Sequence, residues 1–72
     1  MRIPTKTEIE EIRRTYPNGT RIKLLYMDDF QAPPVGTEGV VYGVDDIGSL
    51  LVHWQNGSSL NVVFGSDRVE KI

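Results

Sequence analysis

The chain has 72 residues, of which 39% are hydrophobic and 25% are charged, and its formal net charge is −2. This composition is typical of one small globular domain and argues against disorder, a bilayer-spanning segment and a general polyanion binder. Because the chain contains no cysteine, disulfides, thiolate metal sites and cysteine nucleophiles are excluded. The first residues lack the apolar region of a signal peptide, so we expect a cytoplasmic protein.

The first predicted element is a short helix that begins near Thr5 and ends near Thr15. Thr5 and Thr7 are both suitable N-caps, and each has a glutamate three residues later, which is the capping-box spacing. Pro17 cannot continue the helix, and Asn18 and Gly19 after it favour a turn. The sequence therefore predicts an N-terminal helical segment over residues 1–15 and a separate β domain over residues 16–72.

The predicted helix has a small apolar face. Ile9 and Ile12 lie on this face, and Ile3 is placed to join them as a hydrophobic staple before the helix. So few apolar side chains do not stabilise an isolated helix in water. We therefore expect the helix to dock on the β domain or on a partner.

The next element is a strand over Thr20 to Met27, in which Ile22 and Leu24 alternate with basic residues. Leu25 breaks the alternation and indicates either a bulge or a second buried face. Residues 28–35 contain two adjacent prolines, which exclude a central strand. This segment is predicted to be a long loop carrying acidic residues and an aromatic one, and such loops often carry function.

Four further short strands complete the predicted β domain: Gly36 to Val44, Ser49 to Trp54, Leu60 to Val63, and Arg68 to Ile72. Residues 45–48 and 55–57 are turn signals, and the Asn-Gly pair in the second of them favours a type I′ turn. Residues 64–67 are predicted to form a single helical or 3₁₀ turn. Three glycines are expected to mark sharp bends or close backbone approaches: Gly36, Gly39 and Gly43.

One strand face supplies most of the predicted core. Leu50, Val52 and Trp54 alternate along their run and are assigned to the interior, which places His53 on the outside. Five short strands with tight connections indicate a closed barrel, because closure removes exposed sheet edges. The predicted fold class is mainly β: a small five-stranded barrel preceded by a short N-terminal α-helix.

The order of these elements resembles an SH3-like barrel. More closely, the chain resembles a small family of uncharacterised SH3-like proteins found in phages and bacterial mobile elements. The resemblance covers about Tyr16 to Ile72 and rests on these matching pieces: Tyr16-Pro17 with Gly19-Thr20-Arg21, Ala32-Pro33-Pro34 with Gly36-Thr37 and Gly39, Gly43 to Ser49, and Trp54 with Asn56 to Asn61. It implies no known reaction. It implies a phage or mobile-element source, for which a small host-directed binding protein is the expectation.

The candidate partner-binding residues are four aspartates in two loops and two aromatic anchors: Asp28, Asp29, Phe30, Tyr42, Asp45 and Asp46. In SH3-like barrels the first loop and a neighbouring hairpin tip can flank one side of the barrel. A few aromatic residues usually carry most of the energy of an interface, and the acidic residues would select a basic partner. The alternative is that Phe30 folds back onto the core and the acids only keep the protein soluble. The N-terminal helix is the next candidate surface.

No pattern in the sequence indicates an enzyme, a cofactor or a metal site. The serines lack a nucleophile elbow, and the aspartate pairs lack the spacing of a calcium loop. His53 has no cysteine with which to form a structural zinc site. We therefore predict no catalytic residue, no cofactor and no metal ligand, and we interpret the aspartates as solvated turn residues unless they contact a partner.

Two classes of function stay open. The first, which we favour, is a protein-interaction module with a basic protein partner. The second is a nucleic-acid-associated SH3-like domain of the KOW type, for which the candidate basic patch is Arg13, Arg14, Arg21 and Lys23. The negative net charge and the absence of a dense basic stripe among aromatic residues argue against nucleic acid as the partner. No membrane partner is expected.

Overall fold

A computed structural model describes residues 3–72 and shows a short helix followed by four antiparallel strands. The elements are α1 (Lys6–Thr15), β1 (Arg21–Tyr26), β2 (Glu38–Val44), β3 (Leu50–Trp54) and β4 (Arg68–Lys71). The strands form one open sheet in the order β3-β2-β1-β4. The mainly β fold with an N-terminal helix is therefore confirmed, whereas a closed five-stranded barrel is not.

The predicted strand at residues 60–63 is reduced to one isolated bridge. Leu50 and Val62 exchange two backbone hydrogen bonds of 2.9 and 3.0 Å. In that register the next hydrogen-bonded pair would join Leu60 to β3. Side chains engage Leu60 instead, because the Trp54 indole Nε1–H donates to its carbonyl at 2.9 Å and its own N–H donates to Ser58 Oγ at 3.3 Å. The ladder stops there for this reason.

Two bulges bend the central strands. On β1 the pairing passes from Leu24 with Val69 to Tyr26 with Arg68, so that Leu25 is the extra residue. The bulge predicted at Leu25 is therefore confirmed. On β2 the register shifts in the same way around Tyr42. Bulges of this kind increase the local twist and redirect side chains.

Both tight hairpins use a glycine in the left-handed region. Gly57 has φ of 85° and donates to the Trp54 carbonyl at 3.0 Å, and Gly48 has φ of 80° and donates to the Asp45 carbonyl at 3.1 Å. Within residues 3–72 no residue other than glycine has positive φ, so Asn56 does not. The type I′ turn expected at Asn56 and Gly57 is wrong, because that turn requires positive φ at both positions. Three-residue loops with a single left-handed glycine take its place.

The buried apolar side chains form one cluster, which includes residues of β1, β2 and β3 and Val62 of the isolated bridge. Its members are Ile22, Leu24, Val41, Leu50, Val52, Trp54 and Val62. The inward assignment of Leu50, Val52 and Trp54 is confirmed. The close approach expected at Gly39 is also confirmed, since a Cβ there would lie 2.7 Å from Val52 Cγ1 and 2.8 Å from Trp54 Cε3.

The helix docks on the tip of the β2–β3 hairpin. It begins with the predicted capping box, in which Thr5 Oγ1 accepts from the Glu8 N–H and Glu8 Oε1 accepts from the Thr5 N–H. A Cβ at Gly48 would lie 2.8 Å from Pro4 Cγ and 3.3 Å from Ile12 Cδ1, which shows how closely the helix covers the hairpin. Pro4 is buried there, whereas Ile3 is 70% exposed, so the staple expected at Ile3 is wrong.

Candidate functional site

The most exposed aromatic side chain lies at the tip of the β1–β2 loop, at residues 27–37. Phe30 is 97% exposed, so the alternative that it folds back onto the core is wrong. Its backbone is nevertheless fixed, because the Ala32 N–H donates to the Asp29 carbonyl at 3.0 Å and the Gln31 N–H donates to Asp29 Oδ1 at 2.8 Å. The loop therefore presents a phenyl ring to solvent from a hydrogen-bonded turn.

The second half of the same loop is anchored to the sheet. The Gly36 N–H donates to the Leu24 carbonyl at 2.7 Å, and the Leu24 N–H donates to the Thr37 carbonyl at 2.9 Å. Thr37 also closes a turn on Pro34, whose carbonyl accepts from its N–H at 3.0 Å and from its Oγ1 at 2.6 Å. These bonds fix the base of the loop and leave its acidic tip projecting.

A cavity of about 400 Å³ lies beside the tip. It is lined by Met27, Asp28, Asp29, Leu60, Asn61, Val63, Ser66 and Asp67. The lining combines apolar residues with three aspartates. This arrangement suits an elongated cationic side chain, whose aliphatic part packs on apolar surface while its charged end meets the acids.

Asp67 joins the loop to the turn before β4. Its Oδ1 accepts from the Asp28 N–H at 3.1 Å, and its Oδ2 accepts from the Val63 N–H at 2.8 Å. The Ser66 and Asp67 amides both donate to the Val63 carbonyl, so the single turn predicted at residues 64–67 is confirmed. Sequence reasoning missed the role of Asp67. The available signal was an acidic residue closing a predicted turn, where carboxylates commonly accept from backbone amides.

The second aspartate pair has a different setting. Asp45 Oδ1 accepts from the Ile47 N–H at 3.1 Å and from the Ser49 N–H at 2.8 Å, within the β2–β3 hairpin. Asp46 Oδ1 lies 4.0 Å from Arg13 Nη2 of the helix. Neither residue lines the cavity beside Asp28. The β1–β2 loop and the β2–β3 hairpin join opposite ends of β2. The structure therefore does not group the two pairs around one cavity.

Tyr42 is separate from Phe30 as well. Its ring is stacked on that of His53, with centroids 4.1 Å apart and planes inclined by 21°, and 44% of the residue is exposed. His53 points outward, as predicted. Tyr42 lies on the outer face of β2 at the bulge and does not line the cavity.

Two residues of the predicted basic patch are engaged by acids or by backbone. Arg21 Nη2 lies 2.9 Å from Glu38 Oε1 across β1 and β2. Arg13 Nη2 donates to the Val44 carbonyl at 3.4 Å, in addition to its contact with Asp46. These contacts reduce the positive charge that the two arginines offer to a polyanion.

A second cavity, of about 380 Å³, opens between the end of the helix and the segment before β4. Its walls are mostly apolar and are formed by Ile12, Tyr16, Leu25, Gly48, Leu50, Val62, Val63, Phe64, Gly65, Asp67, Arg68 and Val69.

In residues 3–72 no group of three or more histidine, aspartate or glutamate residues is placed to hold a metal ion. The same part of the chain contains no helix of the length and apolarity needed to cross a membrane.

Comparison with known families gives one match. A family model described as Domain of unknown function (DUF4314) matches residues 5–72, a range that includes α1 and all four strands. Neither the curated proteins nor the solved structures contain a significant match to the chain.

Proposed function

This chain belongs to the DUF4314 family, and we propose that it is a small, non-enzymatic protein-interaction module. The observation that carries the proposal is Phe30, which is 97% exposed at the tip of a hydrogen-bonded turn. Burial of such a side chain by a partner contributes about 1.5–3 kcal/mol. Because the turn is already fixed, little further ordering opposes that gain.

The proposed partner presents a basic segment. A lysine or arginine of the partner would enter the cavity of about 400 Å³, pack its methylene groups on Met27 and Leu60, and direct its charge toward Asp28 and Asp29. Phe30 follows these acids directly in the chain and would contact an apolar residue of the same segment. We define the interaction surface as Asp28, Asp29 and Phe30 with the adjoining cavity. It includes three of the six candidate residues expected from sequence.

We extend the fold proposal to an SH3-like barrel. Support comes from the strand order β3-β2-β1-β4, from the two bulges that bend β1 and β2, and from the bridge that brings Val62 to β3. A phage or mobile-element source is proposed from the sequence resemblance over residues 16–72. On that basis the proposed partner is a cytoplasmic protein of the host.

The nucleic-acid alternative has less support, because Arg13 and Arg21 both contact acids of this chain. Binding to generic duplex DNA or to single-stranded RNA should be weak and should vanish near physiological salt, since only a few phosphate contacts are available. Sub-micromolar binding that persists at physiological salt would favour the KOW-type alternative instead.

Selection of peptides from a displayed random library tests the main proposal with the protein as it exists. The selected peptides should combine lysine or arginine with an apolar residue. Phe30→Ala should weaken the tightest of them about ten- to a hundredfold, the factor equivalent to the burial of one such side chain. Tyr42→Ala is the matched aromatic control and should bind normally. Acidic or uncharged selected peptides, or equal binding by Phe30→Ala, would contradict the proposal.

A further inference from the structure

We propose that Asn56 with Gly57 is a self-modification site, at which the folded protein converts asparagine to aspartate and isoaspartate. The chain contains a second Asn-Gly pair, Asn18 with Gly19, which we infer to be protected by its contact with β2. Asparagine before glycine is prone to this reaction, because the following residue has no Cβ to hinder attack by its backbone nitrogen. Two identical dipeptides in one chain allow the effect of structure to be separated from that of sequence.

The reaction consumes one water and releases one ammonia. The Gly57 nitrogen loses its proton to hydroxide or water and attacks Asn56 Cγ, forming a new N–Cγ bond. The Cγ–Nδ2 bond then breaks, and the amide leaves as ammonia after taking up a proton. Water adds to either carbonyl carbon of the resulting succinimide and opens the ring to aspartate or isoaspartate. No oxidant, reductant or metal is required.

The attacking nitrogen of the first pair is tied to the centre of the sheet. The Gly19 N–H donates to the Val41 carbonyl at 2.7 Å, and the Val41 N–H returns a bond of 2.9 Å to the Thr20 carbonyl. Val41 is fully buried on the central strand β2. Release of the Gly19 nitrogen therefore requires the turn to separate from a core strand, which is a costly opening.

The attacking nitrogen of the second pair is held only within its own turn. The Gly57 N–H donates to the Trp54 carbonyl at 3.0 Å, three residues earlier at the edge of the sheet. The Asn56, Gly57 and Gln55 positions are all exposed. Local fluctuation of one exposed turn frees this nitrogen, and such openings cost little compared with those of a core strand.

The side chain of Asn56 is also positioned for the reaction. The Ser58 N–H donates to Asn56 Oδ1 at 3.0 Å, the oxygen on which negative charge develops when Cγ is attacked. Within residues 3–72 the Asn18 side chain makes no hydrogen bond, although it too is exposed. The two pairs therefore differ both in how firmly the nucleophile is held and in whether a donor faces the oxygen of the tetrahedral adduct.

Peptide mapping by mass spectrometry tests this inference on the wild-type protein. Folded protein is aged at body temperature and mildly alkaline pH, and the fraction converted is measured at both asparagines over time. We expect Asn56 to react at least about tenfold faster than Asn18, as the difference between local and core opening implies. A parallel sample in concentrated urea should show the two rates converging, since the fold no longer protects Gly19. Equal rates in the folded protein, a faster Asn18, or an unchanged ratio in urea would overturn the proposal.

Two matched variants show independently which asparagine gives the acidic product. Asn56→Gln and Asn18→Gln each remove one reactive asparagine from an exposed turn, and glutamine closes the larger ring far more slowly. The acidic species that accumulates on ion exchange should disappear from aged Asn56→Gln and persist in aged Asn18→Gln. The reverse pattern would overturn the proposal.

Discussion

The β1–β2 loop and the β2–β3 hairpin each contain two adjacent aspartates, yet they use them differently. In the hairpin, Asp45 accepts hydrogen bonds from two backbone amides of its own turn. The tip of the hairpin is covered by Ile12 of the helix and by Pro4, which precedes the helix. In the loop, Asp28 and Asp29 line an open cavity beside the exposed Phe30. We call residues 45–54 the covered region and residues 27–37 the open region.

The difference shows that two adjacent aspartates in a turn can contribute either to folding or to binding, depending on what their carboxylates contact. A carboxylate that satisfies buried or turn amides contributes to folding, because loss of the acceptor leaves those amides without a partner. A carboxylate that faces a cavity contributes little to folding and is available to a cationic partner. Substitution of Asp45 or of a buried side chain in the covered region should therefore lower stability. Substitution of the exposed side chains at the tip of the open region should change stability little.

The largest difference in lost stability is expected between substitutions of two aromatic residues, one in each region. Trp54 ends the covered region with 4% exposure and an indole bond of 2.9 Å to the Leu60 carbonyl. Trp54→Ala should lower the free energy of unfolding by about 3–5 kcal/mol, which is a large part of the stability of a domain this small. Phe30→Ala should change it by less than about 0.5 kcal/mol. Denaturant unfolding followed by circular dichroism measures both, and similar losses in the two variants would remove the distinction between the regions.

The next comparison measures how much the contact between the helix and the hairpin adds to the cost of a substitution. It uses two glycines with similar backbone conformation. Gly48 has φ of 80° and lies under Pro4, whereas Gly36 has φ of 94° and has no atom within 4 Å of the Cβ position. Gly36→Ala should cost about 1–2 kcal/mol from the left-handed conformation alone. Gly48→Ala should cost about 2–4 kcal/mol, because the helix must also shift. Equal midpoints in thermal unfolding would mean that the helix does not press on the hairpin.

The smallest contrast in stability compares two aspartates. Asp45 accepts from two amides, one of them on the buried Ser49, whereas Asp29 accepts from Gln31 alone. Asp45→Ala should lower the free energy of unfolding by about 1–2 kcal/mol and Asp29→Ala by about 0.5 kcal/mol. Urea unfolding monitored by Trp54 fluorescence gives both values. A larger loss for Asp29→Ala would show that the open region is the more tightly bonded one.

Local sequence signals predict much of this fold. The capping box of the helix, the bulge at Leu25 and the inward face of β3 all follow from spacing between near neighbours, and all are confirmed. The failures depend on side-chain and backbone detail that spacing does not encode. One of them is local, since Asn56 does not adopt the positive φ of a type I′ turn. The strand at residues 60–63 is lost to the indole of Trp54, and Pro4 rather than Ile3 packs under the helix, neither of which is encoded in a periodic pattern.

The candidate site could be predicted only in part. Sequence identifies Asp28, Asp29 and Phe30 as a charged loop with an aromatic residue, but exposure decides whether Phe30 is an anchor or a core residue. Sequence also gives no means to separate this pair from Asp45 and Asp46, because composition and turn context are similar in both. Asp67, which holds the loop in place, is distant from it in sequence and was missed.

A pair of double charge reversals tests the central claim most directly. Asp28→Lys with Asp29→Lys alters the open region, and Asp45→Lys with Asp46→Lys alters the covered region by the same change in charge. Thermal unfolding and affinity for a selected basic peptide are measured for both variants. The first variant should lose peptide binding and melt only a few degrees below the wild type, because Asp29 accepts a single backbone bond. The second should melt at a clearly lower temperature than the first and, while folded, bind as the wild type does. The account is contradicted if the first variant binds normally, or if the second loses binding while it stays as stable as the wild type.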